Sequence, residues 1–401
     1  MTGPGTNKPY TLYYIDSSYY SGKMQAYLRF KRIPFRQVQV SWTMMARKIL
    51  PATGLMEVPV IQRPDGSWMR DSTAMIEWFE QRYPARRILP GDPEQAFLCF
   101  LLEDYADEWL WPPALHYRWS YPKDRWLAAR RFTEDLISHR PRWLTRYHIA
   151  IRQYLTYVRG EGITRETRAQ AEYIYRRELA HLQKIFAVRP FLLGDRPCLA
   201  DFGYFASMFR HFSLDPTPQR IMIETAPAVY EWVARMWNSS TLSDGNPHWI
   251  ADPEVLHQDW SEILTTIGRT YLPYLAANAK AISDDDRCFD TCLDDVPYRG
   301  LRTNLFRAYC RHRLQSRYET LPPEAKTTLR QILDETGCWT PLMQFGRLGH
   351  SCAGADNLPE CKPYPVGTLG KIRNYMTGTP RHARTREQNR TVPAIDAFDP
   401  A

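Results

Sequence analysis

Two adjacent serines stand where an apolar strand gives way to an amphipathic helix. Ser17 and Ser18 lie in the stretch IDSSYYSGKMQAYLRFKRIPF, which runs from residue 15 to residue 35. A hydroxyl at the start of a helix can cap free backbone N–H groups, and the same helix end favours a bound anion. The spacing therefore predicts a cap at this turn and leaves open whether one of the two hydroxyls also does chemistry.

A valine–proline pair opens a second stretch, VPVIQ. If the Val58–Pro59 bond is cis, its backbone N–H and C=O groups lie at an otherwise unpaired strand edge, where an extended peptide can pair. The alternative interpretation is a proline that only starts a strand. The first interpretation predicts a binding site for a peptide-like ligand.

An acidic residue and a serine begin the helix predicted in DSTAMIEWFEQRYP. Asp71 and Ser72 bring a carboxylate, a hydroxyl and free amide groups together at a helix N-terminus, which suits the amino and carboxylate groups of a ligand. Plain helix capping is the simpler interpretation. The two roles do not compete, because a residue that caps a helix can also bind.

A dense aromatic group surrounds Pro112-Pro113 in the stretch EDYADEWLWPPALHYRWSYP. Side chains of this kind can form the floor of an apolar pocket for a second substrate, although any one of them can equally be helix-packing core. We predict a pocket formed by Trp109, Trp111, His116 and Tyr117. No catalytic role is assigned to His116, and Arg118 could face an anionic substrate.

Short elements in the order βαβαββα position these residues. Residues 10–15 read as a strand, and Met24, Tyr27 and Leu28 recur at helical spacing until Pro34 ends the pattern. A strand, a short helix, a strand–turn–strand unit and a final helix follow up to Pro84. Residues 266–345 favour further helices, and residues 346–401 read as an irregular or partly disordered tail.

Composition narrows the class of protein. With 401 residues and 44% apolar content the chain is long enough for two or three domains. Its apolar runs are too short to cross a bilayer, and the first residues lack signal-peptide character, so we predict a cytoplasmic protein without a membrane partner. The net charge of +8 is spread as Arg with no nucleic-acid motif, so no nucleic-acid partner is predicted.

The cysteines carry a separate prediction. All eight are expected to be reduced thiols, and six of them lie beyond residue 265. Cys288-x3-Cys292 and the stretch HSCAGADNLPEC, near His312 and His350, could ligate zinc, but the sequence has no paired C-x2-C units. We therefore predict no metal site.

Taken together, the motifs resemble those of the cytosolic glutathione transferases. The resemblance rests on SYYSGKMQAYLRFKRIPF, TGLMEVPVI, DGSWMRDSTAMIEWFEQRYP, FLLGDRPCLADFGYFASM, DPTP and APAVYEWVARM, and covers roughly residues 10–240. It implies an α/β thioredoxin-like domain (1–90), an all-helical domain (91–265) and, as in some bacterial members, a helical extension (266–345). The sequence departs from the family pattern at Cys198, where a Ser or Thr usually caps the helix of Asp201.

The resemblance implies glutathione as cosubstrate, activated for attack on an unidentified electrophile, and a homodimer. Val58, Pro59, Asp71 and Ser72 would bind glutathione. The alternative is a non-catalytic binding or scaffold protein with the same fold.

Within that resemblance Ser18 is the candidate catalytic residue. A thiol of pKa about 8.5 is only about 3% ionised at pH 7, and lowering its pKa by about two units takes roughly 2.7 kcal/mol of thiolate stabilisation. Counting back from Pro34 puts Ser18 where serine and cysteine classes carry the active side chain. Ser17 is the neighbouring alternative, and Tyr14 stands where tyrosine classes carry their phenol.

The first ninety residues contain no cysteine, which predicts the type of reaction. Glutathione-dependent disulfide reduction passes through a mixed disulfide with a protein thiolate. We therefore expect negligible reductase activity from the protein and a gain of activity in Ser18→Cys, whose thiol would be acidified by the helix N-terminus. A mixed-disulfide reduction assay, with intact-mass detection of the adduct, tests both; strong reduction by the unmodified protein would contradict the transferase interpretation.

Overall fold

The computed structural model describes residues 9–136, 141–245, 247–250 and 253–344. The chain begins with strand β1 (Tyr10–Tyr14), helix α1 (Tyr19–Phe30) and strand β2 (Phe35–Gln39). A broken helical segment follows, made of α2 (Trp42–Met44), a π-helical turn (Met45–Ile49) and α3 (Leu50–Thr53). Strands β3 (Val60–Gln62) and β4 (Trp68–Arg70) and helix α4 (Ser72–Arg82) complete the unit.

These elements form one four-stranded sheet in the order β2-β1-β3-β4. Strand β1 pairs parallel with β2 and antiparallel with β3, and β3 pairs antiparallel with β4. The parallel pair needs the α1 crossover, whereas the β3–β4 pair needs only the short turn at Asp65-Gly66. The predicted βαβαββα order and the thioredoxin-like fold are confirmed.

The second part of the chain is helical, as predicted. Its helices are α5 (Pro93–Glu108), α6 (Trp111–Ser120), α7 (Pro122–Leu136), α8 (Arg142–Gln153) with a π-helical turn (Tyr154–Val158), α9 (Arg168–Phe186), α10 (Leu199–Ser207) with a π-helical turn (Met208–Phe212), α11 (Pro216–Thr225) and α12 (Pro227–Trp237), followed by a 3-10 turn (Ser239–Thr241). One hydrophobic core joins most of these helices to the sheet, and α7 and α8 pack with part of α6 in a second, smaller cluster.

The extension contains helices and one element that was not predicted. Helices α13 (Pro253–Arg269) and α14 (Tyr271–Ser283) precede strands β5 (Cys288–Leu293) and β6 (Val296–Arg302), and α15 (Leu305–Glu319), α16 (Pro323–Glu335) and α17 (Trp339–Met343) follow. The antiparallel β5–β6 hairpin corrects the purely helical expectation. Helix α13 runs across the boundary predicted after residue 265, and the predicted tail lies outside the described residues.

The departure at Cys198 is compensated by the aspartate three residues later. Asp201 is fully buried and accepts hydrogen bonds from the backbone N–H groups of Cys198 (2.9 Å) and Leu192 (3.1 Å) and from Nε1 of Trp232 (3.1 Å). Burial raises its pKa to about 6, against the opposing effect of these donors. The carboxylate thus ties three segments together at the start of α10.

A buried lysine joins the sheet domain to the helical domain. Lys23, on α1, is fully buried and donates to Glu103, to Asp107 Oδ2 (2.5 Å) and to Thr73 Oγ1 (3.3 Å). Burial raises the pKa of Asp107 well above its usual range. At Glu103 burial also acts to raise the pKa, but the charges of Lys23 and Arg313 and the hydrogen bonds from Lys23 and Thr73 together outweigh it and lower the pKa of that carboxyl. One buried lysine is thus shared by two buried acidic side chains.

Removal of this lysine charge should destabilise the fold strongly. Lys23→Met leaves a buried carboxylate without its cation, so the free energy of unfolding should fall by about 3–5 kcal/mol. Lys184, which pairs with Glu262 and is 66% exposed, is the matched control; Lys184→Met should cost at most about 1 kcal/mol. Urea unfolding followed by circular dichroism measures both, and equal losses would contradict the proposed importance of the Lys23 pair.

Within the described residues no helix is long and apolar enough to cross a membrane. The same residues contain no group of three or more His, Cys, Asp or Glu side chains that could hold a metal ion. His312 lies on α15, and Cys352, Cys361 and His350 fall outside the described residues.

Candidate functional site

The turn before α1 presents a hydroxyl with an unused proton. Ser18 is the N-cap of α1: its backbone is extended, and its Oγ accepts a hydrogen bond from the Ser21 N–H (3.3 Å). Its own N–H donates to the Ile15 carbonyl (2.9 Å) and closes the turn. Within the described residues no acceptor lies in reach of the Ser18 hydroxyl proton, so that proton is available to a ligand.

The neighbouring serine is already engaged. Ser17 is buried, and its hydroxyl donates to Asp135 Oδ2 at 2.8 Å. Burial raises the pKa of Asp135, and the Ser17 hydrogen bond opposes that rise. A ligand at Ser17 would have to compete with this carboxylate. The hydrogen bonding thus favours Ser18 over Ser17 as a donor to a bound thiolate.

Arg118 holds the serine turn in place from behind. Its guanidinium donates to Asp215 Oδ2 (2.6 Å), to the carbonyl of Ser17 (3.0 Å) and to the carbonyl of Arg210 (2.5 Å), and Nη1 lies 2.7 Å from Nε2 of His211. Burial lowers the pKa of His211 well below its usual range, so this imidazole is neutral and accepts the bond. All three guanidinium nitrogens of Arg118 have partners, which makes it a positioning residue. That it also faces an anionic substrate stays a prediction.

The serine turn opens onto a cavity of about 320 Å³. Ser17, Ser18 and Val58 line one side of it, and Trp109, Trp111 and Trp119 line another. The extension supplies a further wall, formed by residues of β6, of the start of α15 and of the link between them; it includes Tyr298, Leu301, Phe306 and Arg307. Three parts of the chain therefore meet around one space.

Two of the four predicted pocket residues do not line this cavity. Trp111 stacks on Tyr20 at the cavity wall, with ring centroids 6.0 Å apart. His116 instead lies between Glu172 and Ser120, with both ring nitrogens 3.0 Å from their partners, and Tyr117 stacks on Tyr121. The side chains of His116 and Tyr117 are held by these contacts outside the cavity, whereas the α6 residues that line it are Trp111, Pro112, Pro113, Leu115, Arg118 and Trp119.

Tyr14, the alternative to Ser18, ends β1 and does not line the cavity. Burial raises the pKa of its phenol, and the nearby Asp16 charge raises it further. A phenol with a raised pKa is a poorer proton donor to a thiolate.

The Val58–Pro59 peptide bond is cis. Val58 lines the cavity next to β3, and Pro59 is buried behind it.

Asp71 and Ser72 stand at the N-terminus of α4, outside the cavity lining. Asp71 has the left-handed φ of 68°, which is unusual for a residue other than glycine. Its Oδ1 accepts from the N–H groups of Thr73 (3.0 Å) and Ala74 (3.4 Å), so the capping role is present. Its Oδ2 is buried and has no hydrogen-bond partner among the described residues.

The extension also brings cations to this region. Arg313, on α15, lies 3.6 Å from Asp104 Oδ1, and its charge opposes the burial that raises the pKa of Asp71. Arg307 is buried and donates to Glu108 Oε2 (3.1 Å), Glu161 Oε2 (2.7 Å) and the Tyr274 hydroxyl (2.8 Å). The sequence analysis missed both arginines, because nothing in LFRAYCRHRLQSRYE separates them from the other arginines of the same helix.

The comparisons with known proteins agree with this architecture. Residues 12–87 match the family model of the glutathione S-transferase N-terminal domain, and residues 149–240 match that of the glutathione S-transferase C-terminal domain. Residues 12–87 and 149–240 therefore belong to the N-terminal and C-terminal domain families of the glutathione S-transferases. No curated relative was found.

Similar solved structures include a glutathione S-transferase from Methylobacterium radiotolerans in complex with glutathione sulfonate (17% identity, 61% of this chain and 100% of that chain, TM-score 0.36). The beta-etherase LigF from Sphingobium is 17% identical over 64% of this chain and 100% of that chain, with a TM-score of 0.42. FzlA from C. crescentus is 17% identical over 62% of this chain and 98% of that chain, with a TM-score of 0.39.

Proposed function

We propose that the protein binds glutathione between the serine turn and the Val58–Pro59 strand and activates its thiol for attack on an electrophilic carbon. The observation that carries the proposal is the free hydroxyl proton of Ser18, which lines a cavity at the N-terminus of α1. A hydroxyl donor and a helix N-terminus both favour an anion, so the thiolate would be stabilised over the thiol. The thiol proton passes to solvent, and the thiolate sulfur forms a bond to the electrophilic carbon. In a substitution the bond to the leaving group breaks and its electron pair goes with that group; in an addition the π electron pair shifts onto the acceptor, which then takes a proton from solvent.

In this proposal Val58 and Pro59 pair with the glutathione backbone, and Asp71 with Ser72 holds its γ-glutamyl end. The buried and unpartnered Oδ2 of Asp71 supports this role, since a buried carboxylate oxygen gains most from an added N–H donor. The α-ammonium group of glutathione is such a donor.

The second substrate would lie against Trp109 and Trp111, in the part of the cavity that the extension closes. The aromatic walls favour a molecule with an apolar, ring-containing body. Since Tyr298, Leu301 and Phe306 form one wall, the extension would take part in selecting the substrate. A cytoplasmic location and a homodimer remain parts of the proposal.

The alternative is a glutathione-binding or scaffold protein without turnover. The position of Arg313 favours it, because the charge of this cation already acts on Asp71, the carboxyl group that would receive the γ-glutamyl end. The thiol pKa of bound glutathione separates the two functions: a lowered pKa supports the transferase, and binding with an ordinary pKa supports the scaffold.

Ser18→Ala should raise the pKa of the bound thiol by about one unit or more, because a hydrogen bond to a charged group contributes about 1.5–3 kcal/mol. Glutathione affinity should stay within a few-fold. Ultraviolet titration of the thiolate on the saturated protein measures the pKa. Ser17→Ala is the control and should leave the pKa of the bound thiol unchanged, because the Ser17 hydroxyl already donates to Asp135. If the pKa of the bound thiol rose in Tyr14→Phe but not in Ser18→Ala, Tyr14 would be the donor to the thiolate.

Asp71→Asn and Ser72→Ala should each weaken glutathione binding by about tenfold or more, because each removes a charge-assisted contact to the γ-glutamyl end. Asparagine keeps an oxygen for the cap of α4, so the helix should persist. Isothermal titration calorimetry gives the affinities, and thermal unfolding checks the fold. Unchanged affinity in both variants would show that the pair only caps the helix.

A further inference from the structure

Helix α8 turns its apolar side away from the protein. Five large apolar side chains along α8 and the following π-helical turn are exposed: Trp143 (71%), Leu144 (42%), Tyr147 (55%), Ile151 (42%) and Leu155 (60%). We name these five residues the α8 face. Residues 143, 147, 151 and 155 are four apart, so they form one stripe along the helix.

The α8 face has no cover among the described residues. None of its five side chains belongs to a hydrophobic cluster, whereas the smaller Ala150 and Val158 of the same segment are buried against α6 and α7 in one. A surface helix ordinarily points its apolar stripe at the core. The reversed orientation therefore indicates a surface that is covered by something else.

The charge around the face limits what can cover it. Residues 141–160 contain four Arg and one His but no Asp or Glu. Arg142, His148 and Arg159 are exposed at the ends and the margin of the face. An occupant that matches both features must combine an apolar interior with negative charge at its surface.

Two candidate occupants of the α8 face come from this chain itself, and neither carries the net negative charge that the arginines would attract. Residues 345–401 carry eight Lys and Arg against five Asp and Glu, so that segment is itself basic. A second copy of α8 would bring arginines against arginines, with no acid in the segment to pair with them. Nucleic acid would match the arginines and could stack on Trp143 and Tyr147, but the aliphatic Leu144, Ile151 and Leu155 offer no group that binds phosphate or stacks on bases and would remain exposed.

We propose that the α8 face docks the protein on the surface of an anionic phospholipid bilayer. Trp143 and Tyr147 are the side chains that favour the membrane interface, the aliphatic residues would enter the upper acyl region, and the exposed arginines would meet lipid phosphates. Docking at the surface needs no spanning helix. It departs from the sequence-based expectation of no membrane partner, which considered only segments long enough to cross a bilayer.

The test is co-sedimentation of the full chain with vesicles. One set is phosphatidylcholine alone, and the other is phosphatidylcholine mixed with phosphatidylglycerol. The protein should bind the anionic vesicles, and added salt should weaken binding because charges at a surface are screened. The double variant Trp143→Ser with Ile151→Ser should bind about tenfold less tightly or worse, since two large apolar groups no longer leave water.

The double variant Val188→Ser with Tyr173→Ser is the matched control. Both residues are exposed apolar side chains of the helical domain, at 78% and 52%, and lie outside the α8 face. The control should bind vesicles like the unchanged protein, and circular dichroism should show that both double variants are folded. Arg142→Glu with Arg159→Glu should reduce binding to the anionic vesicles and remove its dependence on salt.

Several results would overturn the proposal. Absence of vesicle binding, equal binding to both lipid compositions, or an equal loss in the Val188/Tyr173 control would each do so. A dimer in sedimentation velocity that Trp143→Ser with Ile151→Ser converts to a monomer would assign the face to a second copy instead. Binding to duplex DNA or RNA that needs the arginines but not Trp143 and Ile151 would assign it to nucleic acid.

Discussion

The ion pairs of Lys23 are the interaction on which the position of the candidate site depends. Lys23 is fully buried on α1, and its carboxylate partners are on α5. A buried charge must stay close to its partner, so α1 cannot shift along α5 without a large cost in free energy. The N-terminus of α1 carries Ser18, and the C-terminus of α5 leads into Trp109. The same pair therefore fixes the distance between the serine turn and the aromatic wall.

The extension contributes charged and polar side chains to the buried cluster of carboxyl groups around Lys23. The carboxyl groups near Lys23 belong to Asp71, Glu103 and Asp107, and Asp104 lies near Glu103. Burial raises the pKa of Asp104 to about 6, and Arg313 from α15 opposes the rise. Tyr271 of α14 donates to the same carboxylate at 2.7 Å. The extension thus supplies a cation and a hydroxyl donor to a cluster that Lys23 alone would leave rich in negative charge.

The features that could be predicted from the sequence are those that depend on residues close together along the chain. The βαβαββα order and the Ser18 cap follow from periodicity and capping, which are local. Which residues of α6 face the cavity is set by tertiary packing, so the sequence could not show that Trp111 lines it while His116 and Tyr117 do not. The β5–β6 hairpin did leave a signal: apolar residues alternate on both sides of Asp294-Asp295, whose φ angles of 50° and 64° form its tight turn. The arginines of α15 act over long distances in sequence, and no local pattern could reveal them.

The cavity wall and the α8 face belong to opposite sides of the same helical segment. Arg152, Thr156 and Tyr157 line the cavity, while Ile151 and Leu155 point outward between them in sequence. A helix with its side chains is about 10–12 Å across. If the α8 face lies on a bilayer, the cavity is separated from the lipid by about that distance. An apolar electrophile concentrated in the membrane would then have a short path to the Ser18 turn, which connects the surface of this protein to the chemistry proposed for its interior.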